Sequence, residues 1–334
     1  MAQRSVVVIG GSAGGLEALR RVLRDLPADL EAAVFVVLHS AAESPGLLDS
    51  ILARHTALRV QYAHDGARIH EGHVYVARAD RHLILKPGYM RVTNGPKENR
   101  FRPAVDPLFR TAADVYGPRV IGLVLSGGQD DGAVGLALIK RSGGVAIVQD
   151  PEEALASGMP TAAIAHVKVD RVLKSDAIAP ALVALVRESI GAVVEMSKSP
   201  RTDVAEGVQD AIHQAKALGP PSPYSCPECG GTLWEFRDGE LLQYHCHLGH
   251  RFSGDSLAAA QSEALDLALW TALRALEEHS ALHTRMAKHA HGRGLDLIAQ
   301  KYEQEARDAE DRADRIRRVL ISDSPVSIRA GFAV

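Results

Sequence analysis

The fold is decided by the stretch Val6-Val7-Val8-Ile9-Gly10-Gly11-Ser12-Ala13-Gly14-Gly15 near the start of the chain. Its first four residues are β-branched, which favours a buried strand, and the glycines that follow end that strand in a tight turn. Beyond the turn, apolar residues recur at helical spacing at Leu16, Leu19, Val22 and Leu23. A strand, a glycine-rich turn and a helix in this order are typical of a parallel β-α-β unit.

Three later apolar runs continue this pattern. They cover residues 34–38, 120–125 and 145–148, and a helical stretch near residues 47–52 follows the first of them. Shorter strands are expected between residues 59 and 93. Because strands that are apolar throughout alternate with helices, both faces of the sheet must be covered. The sequence therefore predicts an α/β fold over residues 1–190, with a doubly wound, mainly parallel sheet.

Length and composition exclude several classes of protein. The chain has 334 residues, enough for about two domains. Its 46% hydrophobic and 24% charged residues are ordinary for globular proteins and exclude wholesale disorder or a coiled-coil rod. The net charge of −3 gives no basic field, so we expect no nucleic-acid partner. There is no apolar run of membrane-spanning length and no signal-peptide layout, so we expect no membrane insertion and a cytoplasmic location.

The second half of the chain changes character. We interpret residues 191–222 as a linker with a possible short helix, residues 223–254 as a small metal module and residues 322–334 as a tail. Between the last two, residues 255–321 predict an antiparallel helical hairpin, whose apolar faces are also a candidate seam for a homo-oligomer. Its two apolar stripes comprise Leu265, Leu269, Leu273 and Leu276, then Leu295, Ile298, Tyr302, Ala306, Ala309, Ala313, Ile316 and Leu320.

The glycine-rich turn has three interpretations. A dinucleotide fingerprint would need glycine where Ser12 stands, and an acidic residue where the second strand is followed by His39. A nucleophile elbow would use Gly10, Ser12 and Gly14 to push the serine hydroxyl outward. The third interpretation is a plain turn with a helix-capping serine.

Candidate partners for the serine follow other strands. A serine nucleophile needs a histidine base, which a carboxylate orients. His39 follows the second apolar run, and Asp130 and Asp131 lie in the loop after the run at residues 120–125. Because sites in parallel sheets form beyond the carboxyl ends of the strands, these side chains are expected at one edge. The chain order Ser, His, Asp differs from the order Ser, Asp, His of the α/β-hydrolases, so a triad here would be the same chemistry on a different fold.

Over about residues 5–187, the sequence resembles the catalytic domain of the chemotaxis methylesterase CheB. The resemblance rests on several separate motifs in the right order. They are Val8-Ile9-Gly10-Gly11-Ser12-Ala13-Gly14-Gly15, His39, Asn99-Arg100-Phe101-Arg102-Pro103-Ala104-Val105-Asp106, Leu125-Ser126-Gly127-Gly128-Gln129-Asp130-Asp131-Gly132-Ala133 and Gly158-Met159-Pro160.

The resemblance implies an activity and assigns roles. It implies hydrolysis of glutamate methyl esters on chemoreceptors, often with deamidation of receptor glutamines, and no catalytic cofactor. By position, Ser12 is the nucleophile, His39 the general base and Asp131 the residue that orients it, whereas Asp130 falls where the family commonly has Asn. The alternative is a non-catalytic CheB-like scaffold that binds receptors or other signalling partners.

The resemblance also implies contacts around the reacting atoms. The backbone N–H groups of Ala13 and Gly128 are candidate oxyanion donors. Arg100 and Arg102 are candidates to meet acidic receptor segments, although a solvated basic loop is an equal alternative. CheB normally carries an N-terminal phospho-receiver. Because the turn begins at residue 10, we expect no such domain. The sequence thus resembles the stand-alone CheB-like proteins, some of which carry a C-terminal zinc-ribbon-like extension. The C-terminal modules then become the candidates for control.

All three cysteines lie in the metal module. Cys226-Pro227-Glu228-Cys229-Gly230-Gly231 has the form of a metal knuckle, and Tyr244-His245-Cys246-His247-Leu248-Gly249-His250 supplies further ligands after a hairpin expected at Asp238-Gly239. The set Cys226, Cys229, Cys246 and His250 predicts a structural Zn²⁺ site. His247 is the alternative fourth ligand and His245 a weaker one, while a redox pair or unliganded thiols are the competing interpretations.

Overall fold

The computed structural model describes residues 2–190, 221–238 and 241–322. Most of the predicted linker and tail therefore lies outside the described residues. The chain divides into two compact units, Met1–Leu257 and Ala258–Val334. Among the described helices, none combines the length and apolarity that crossing a bilayer requires.

The first unit is built on a seven-stranded sheet in which every neighbouring pair is parallel. The predicted α/β fold with a mainly parallel sheet is confirmed. In spatial order, its strands are β10 (Arg171–Leu173), β9 (Val145–Gln149), β8 (Val120–Val124), β2 (Val6–Gly11), β3 (Ala33–Leu38), β5 (His73–Val76) and β4 (Arg59–Tyr62).

Two buried layers cover the faces of this sheet, as a doubly wound fold requires. Val6 and Val8 of β2 belong to one layer, and Val7 and Ile9 belong to the other, because successive strand residues point to opposite faces. The helices are α1 (Gly15–Arg24), α2 (Leu48–Ala53), α3 (Val105–Tyr116), α4 (Ala133–Arg141), α5 (Gly158–His166) and α6 (Ser175–Arg187).

Strand β2 lies at the point where the chain reverses its direction of travel across the sheet. After β2 the chain continues to β3 on one side, and β8 is added later on the other side. In such sheets a crevice opens beyond the carboxyl ends of the strands at this point. Ser12, His39 and Asp131 follow β2, β3 and β8, so all three lie at this crevice.

Smaller elements flank the main sheet. An antiparallel hairpin of β6 (His82–Lys86) and β7 (Tyr89–Thr93) leads into the loop before α3. A short 3-10 helix covers Gly117–Arg119, and β1 (Ala2–Gln3) pairs with β11 (Ser189–Ile190). The Asn99–Asp106 motif spans the end of the loop between β7 and α3 and the start of α3, and its Asn99 contacts Asp131.

Residues 221–253 form a four-stranded antiparallel sheet. Its strands, in spatial order, are β12 (Pro221–Ser225), β13 (Thr232–Asp238), β14 (Leu241–Cys246) and β15 (Arg251–Ser253). Asp238 pairs with Leu241, as the predicted hairpin requires, and the turn between them lies outside the described residues. Among the described residues of this sheet and its flanks, the buried core comprises Cys226, Leu233, Tyr244, Cys246, Phe252 and Leu257.

Two long helices account for the predicted hairpin. They are α7 (Gly254–His291) and α8 (Asp296–Ser322). In the second unit Arg317 pairs with Glu277 at 2.7 Å and His283 pairs with Glu305 at 2.8 Å. Because the later residue of α7 pairs with the earlier residue of α8, the two helices run antiparallel. The predicted stripe is buried at Leu273, Ala306, Ala309 and Ala313. Leu265, Leu295 and Ile298 of the same stripes are exposed in the single chain.

Candidate active site and metal cluster

The turn after β2 holds Ser12 at the mouth of the crevice. Gly14 has a φ of +76°, which disfavours larger residues, and α1 begins directly after it. The Ser12 N–H donates to the Ser126 carbonyl at 2.9 Å, and the Ser126 hydroxyl donates to the Ala13 carbonyl at 2.7 Å. The turn is therefore tied to the loop after β8 by both backbone and side chain, while Ser12 itself stays half-buried.

His39 and Asp131 form a buried pair beside this turn. The Asp131 Oδ2 and the His39 Nε2 lie 2.7 Å apart, and the two side chains are only 1% and 4% exposed. The residues are far apart in sequence, but β3 and β8 both neighbour β2. The structure thus brings together the predicted base and the predicted acid.

The carboxylate of Asp131 is surrounded by donors. Val105 N–H donates to Oδ2 at 2.6 Å and Asp106 N–H to Oδ1 at 3.2 Å, and both belong to the first turn of α3. The Asn99 amide donates to Oδ1 at 3.0 Å. Burial alone would raise the pKa of Asp131, but the bond and charge of His39 and these N–H donors together lower it. Asp131 is therefore held as an anion.

A second carboxyl lies behind the first. Asp106 accepts bonds from the N–H groups of Gly132 and Gly135 at 3.1 and 2.7 Å, and from the Asn99 amide at 2.9 Å. Burial raises the pKa of Asp106 well above its usual range, and the neighbouring charge of Asp131 raises it further. Of the two carboxyls, Asp131 favours the ionised form and Asp106 favours the protonated form.

Phe101 fixes the plane of the His39 ring. The two rings stack with centroids 3.6 Å apart and planes inclined by 12°. Within the described part of the chain, the buried Nδ1 of His39 has no hydrogen-bond partner. Since Nε2 is taken by Asp131, Nδ1 is the nitrogen that remains for a proton from Ser12.

Asp130 is not equivalent to its neighbour. It is buried, but its side chain turns to Ser253, which donates a hydrogen bond to it. Burial raises the pKa of Asp130 to about 6, with a further rise from Asp255 and Asp131. The geometry therefore distinguishes the two adjacent acids and supports Asp131 as the partner of His39.

Of the two predicted oxyanion donors, Ala13 directly follows Ser12 and Gly128 lies in the loop after β8. Neither the Ala13 nor the Gly128 N–H makes a backbone hydrogen bond within the described ranges. Gly128 is exposed, and a Cβ there would meet no neighbour within 4 Å. A Cβ at the preceding Gly127, in contrast, would collide with Met159 and press on Ser12. This close packing fixes the path of the loop next to the serine.

The two predicted receptor-binding arginines differ. Arg102 is clamped by Asp80, with Nε and Nη2 at 2.9 and 2.6 Å from Oδ1, and it also donates to the Gly95 carbonyl at 2.9 Å. It therefore holds the loop together, which does not favour a role in meeting a receptor. Arg100 is half-buried, with a left-handed φ of +74°.

Residues of the first unit resemble known proteins in sequence and in fold. A family model described as CheB methylesterase matches residues 7–182. The chain belongs to the CheB methylesterase family. The CheB methylesterase catalytic domain of Thermotoga maritima matches with a TM-score of 0.54 and 33% identity, over 55% of this chain and all of that one.

Two named relatives extend the comparison. The protein-glutamate methylesterase/protein-glutamine glutaminase 2 of Anaeromyxobacter dehalogenans is 43% identical over 56% of this chain and 54% of its own length. The corresponding protein 1 of Xanthomonas euvesicatoria is 40% identical over 54% of this chain and 51% of its own length. The chain thus spans about half the length of these relatives, and the CheB family match ends before the cysteine module.

Three residues of the candidate site have contacts that the sequence did not predict. Asn99, Phe101 and Asp106 all lie in the motif that carries the resemblance, yet that motif assigned them no role. The available signal was the crowding of polar residues just before a helix, which is typical of capping. What each side chain contacts depends on loop geometry and not on spacing.

Outside the CheB domain, the four predicted metal ligands come together. The ligand atoms of Cys226, Cys229, Cys246 and His250 all lie within 4.8 Å of one another. The Nδ1 of His250 is 3.7 and 3.4 Å from the sulfurs of Cys226 and Cys246, and the sulfurs of Cys229 and Cys246 are 3.7 Å apart. A zinc tetrahedron with ordinary bond lengths has edges of about 3.6–3.8 Å, so this donor set fits Zn²⁺.

The alternative histidines have other contacts. His247 lies against Gly231, where a Cβ would press on its ring, and it is not part of the four-ligand cluster. His245 is buried, with Nε2 at 3.3 Å from the Gln243 side chain. Both cysteine turns are closed by backbone bonds, from Gly230 N–H to Cys226 O and from Gly249 N–H to Cys246 O.

Proposed function

We propose that this chain is a serine hydrolase that removes methyl groups from glutamate methyl esters of chemoreceptors or similar signalling proteins. The observation that carries the proposal is the buried 2.7 Å hydrogen bond between His39 and Asp131, one strand away from Ser12. Nucleophilic acyl transfer needs this arrangement of base and orienting acid beside an activated serine. The printed names of the relatives supply the class of ester and add glutamine deamidation.

The proposed reaction has two halves, acylation of Ser12 and hydrolysis of the acyl-enzyme, and the first uses the residues as follows. Ser12 Oγ attacks the ester carbonyl carbon while its proton passes to His39 Nδ1, and Asp131 stabilises the imidazolium. The N–H groups of Ala13 and Gly128 would hold the negative oxygen of the tetrahedral intermediate. The C–OCH₃ bond then breaks, and the leaving oxygen takes the proton from His39 and departs as methanol.

Water completes the cycle. It attacks the acyl carbon on Ser12 and gives its proton to His39, which returns it to the serine oxygen as the glutamate carboxyl leaves. The same steps on a glutamine side chain would release ammonia in place of methanol. No step needs a cofactor. Because such receptor segments are cytoplasmic, the proposal places the enzyme in the cytoplasm.

We also infer that Cys226, Cys229, Cys246 and His250 hold a structural Zn²⁺. Four protein ligands would close the coordination sphere, so the ion would have a structural and not a catalytic role. The small buried core of the module supports this, because so few apolar residues cannot offset the entropy of folding. Self-association through α7 and α8 stays a prediction.

The test of the hydrolase proposal uses two serine variants. Purified protein is incubated with receptor preparations that carry labelled methyl esters, and methanol release is measured. Separately, a fluorophosphonate probe is reacted with the protein and the labelled residue is located by mass spectrometry. We expect label on Ser12, and loss of about 10⁴-fold or more in turnover for Ser12→Ala. Ser40→Ala, a change close to the site, should leave both readouts within about twofold, as expected for a side chain that takes no part in the reaction.

A contrary result has a clear meaning. If Ser12→Ala releases methanol as fast as the unmodified protein, the nucleophile assignment is wrong. If the unmodified protein binds receptors but neither hydrolyses esters nor takes the label, a non-catalytic scaffold is the better description.

A further inference from the structure

Asn99 connects the metal module to the catalytic acid. Its Oδ1 accepts bonds from the Ser253 N–H at 3.0 Å and from the Ser256 hydroxyl at 3.1 Å. Its Nδ2 donates to Asp106 and Asp131 at 2.9 and 3.0 Å. All of these groups are buried, and Ser256 is fully so. One amide therefore joins two carboxyls of the CheB domain to the module that follows it.

The donors and acceptors leave this amide a single orientation. The backbone N–H of Ser253 can only donate, so the amide oxygen must face the module. The amide then presents its two hydrogens to the two carboxyls, one for each. Rotation by half a turn would set an NH₂ group against the Ser253 N–H and an oxygen against the Asp131 anion.

The backbone of the same loop is also held by the module. Asn99 and Arg100 have φ values of +48° and +74°, a left-handed region that side chains disfavour. The Asn99 N–H donates to the Arg251 carbonyl at 2.8 Å, and the Arg251 N–H donates to the Lys97 carbonyl at 3.4 Å. The first residue of β15 thus pairs with the loop in the manner of an added strand.

We propose that Asn99 is a positioning residue for Asp131, and that residues 251–256 of the metal module fix Asn99. Arg251 directly follows the ligand His250, so a metal ion at the cluster would anchor the start of the strand that holds this loop. The cysteine module then supports an active site to which it gives no reacting atom. This inference rests on the proposed function for its kinetic readout, but not for its structural one.

The kinetic test compares two serines of the module in the full chain. Ser256→Ala removes one of the two bonds to the Asn99 oxygen. We expect kcat to fall about tenfold, with KM within about twofold, because a buried acceptor loses a partner and substrate contacts stay intact. Ser222→Ala is the control. Its hydroxyl donates to the Leu233 carbonyl at 2.7 Å inside the module, away from Asn99, and its kcat should stay within about twofold.

The structural test needs no substrate. In protein with ¹⁵N-labelled histidine, the imidazole proton between His39 and Asp131 is followed by NMR and assigned with His39→Gln. We expect the resonance to shift or broaden in Ser256→Ala and after removal of zinc by a chelator, and to stay in place in Ser222→Ala. Asn99→Asp replaces the two N–H donors that face Asp106 and Asp131 by a carboxylate oxygen. This variant should lose the His39 resonance, and its kcat should fall by about 100-fold or more.

The outcomes are separable. An unchanged resonance and kcat in folded Ser256→Ala and in zinc-depleted protein would overturn the coupling. If Ser256→Ala does not fold, Asn99→Asp and the chelation series decide the question alone. If the unmodified protein shows no esterase activity and no Ser12 labelling, the proposed function fails, yet the resonance still reports whether the module positions Asp131.

Discussion

The molecule contains two buried polar clusters that are stabilised in opposite ways. Asp131 is one charge surrounded by four donors, which come from His39, Asn99 and the first turn of α3. The cysteine cluster has three sulfurs and an imidazole in a sheet with a very small core. The charge of Asp131 is balanced by donors of the protein itself. For the cysteine cluster we propose that a Zn²⁺ ion balances the sulfurs. The two clusters are therefore expected to respond differently to a chelator.

The largest expected effect is removal of metal. Structural zinc sites in small peptides contribute about 10–16 kcal/mol of apparent binding free energy, so a chelator should unfold residues 221–253. Native mass spectrometry should find one zinc per chain in the untreated protein. His250→Ala should lose zinc and His247→Ala should retain it, because only His250 lies in the cluster. Equal zinc content in the two variants would contradict the ligand assignment.

The next largest effect is expected when Asp131, the proposed orienting residue of His39, is exchanged for asparagine. Asp131→Asn should lower kcat/KM by about 10³–10⁴-fold, because an amide can donate to Nε2 and stabilise the wrong tautomer of His39. The matched control is Asp130→Asn, at the adjacent residue, which faces Ser253 and should cost less than about fivefold. Methanol release by both proteins under the same conditions is the measurement. Similar losses in both variants would refute the distinction between the two acids.

A smaller effect is expected from the ion pair that joins the loop between β7 and α3 to α3 itself. Arg110 makes a two-pronged pair with Glu98 at 2.7 and 2.8 Å, and both side chains are almost completely buried. The pKa of Glu98 is lowered to about 2, since the charge of Arg110 and that of Arg251 outweigh the effect of burial. Arg110→Met should reduce the free energy of unfolding by about 3–5 kcal/mol, because it leaves a buried charge unpaired.

The control for this pair lies on the surface. Arg20 bonds to Glu17 on α1 at 3.1 Å, and both side chains are well exposed. Arg20→Met should therefore change the free energy of unfolding by less than about 1 kcal/mol. Chemical denaturation of both variants gives the comparison. A cost for Arg110→Met no larger than that for Arg20→Met would show that the buried pair does not stabilise the loop.

The smallest expected effect concerns pH. The pKa of Asp130 rises from an ordinary 3.8 to about 6 in the folded protein, mainly through burial. Between these values the folded state binds more protons than the unfolded state, so stability falls as pH rises from about 4 to 6. The total loss should be up to about 3 kcal/mol. Asp130→Asn should remove this part of the pH dependence, which denaturation at pH 4 and pH 7 would measure.

The regular part of the CheB domain followed from the sequence, and the irregular part did not. Runs of β-branched residues placed the central strands, because a strand buried on both faces has few alternatives. Strand ends then placed Ser12, His39 and Asp131 at one edge. The role of Asn99 was out of reach, since its partners Ser253 and Ser256 lie more than 150 residues away. Spacing along the chain carries no information about such contacts.

The C-terminal region makes the same point with a different physical cause. Cysteine spacing predicted which four side chains come together, because the ligands of a tetrahedral ion must meet within a short distance. Helical spacing identified α7 and α8, but it did not tell which residues of the apolar face the partner helix covers: Leu273 and Ala313 are buried, whereas Leu265 and Ile298 are exposed. Periodicity shows which residues share a helix face, and the length and approach of the partner helix decide how much of that face is covered.

The stacked ring of His39 restricts what this site can process. With Phe101 against one face and Asp131 on Nε2, the imidazole has no freedom to swing between two positions during turnover. In the proposed reaction every proton would therefore pass through Nδ1, the ring nitrogen that Asp131 does not occupy. The departing alcohol and the arriving water would then have to reach the same nitrogen in turn.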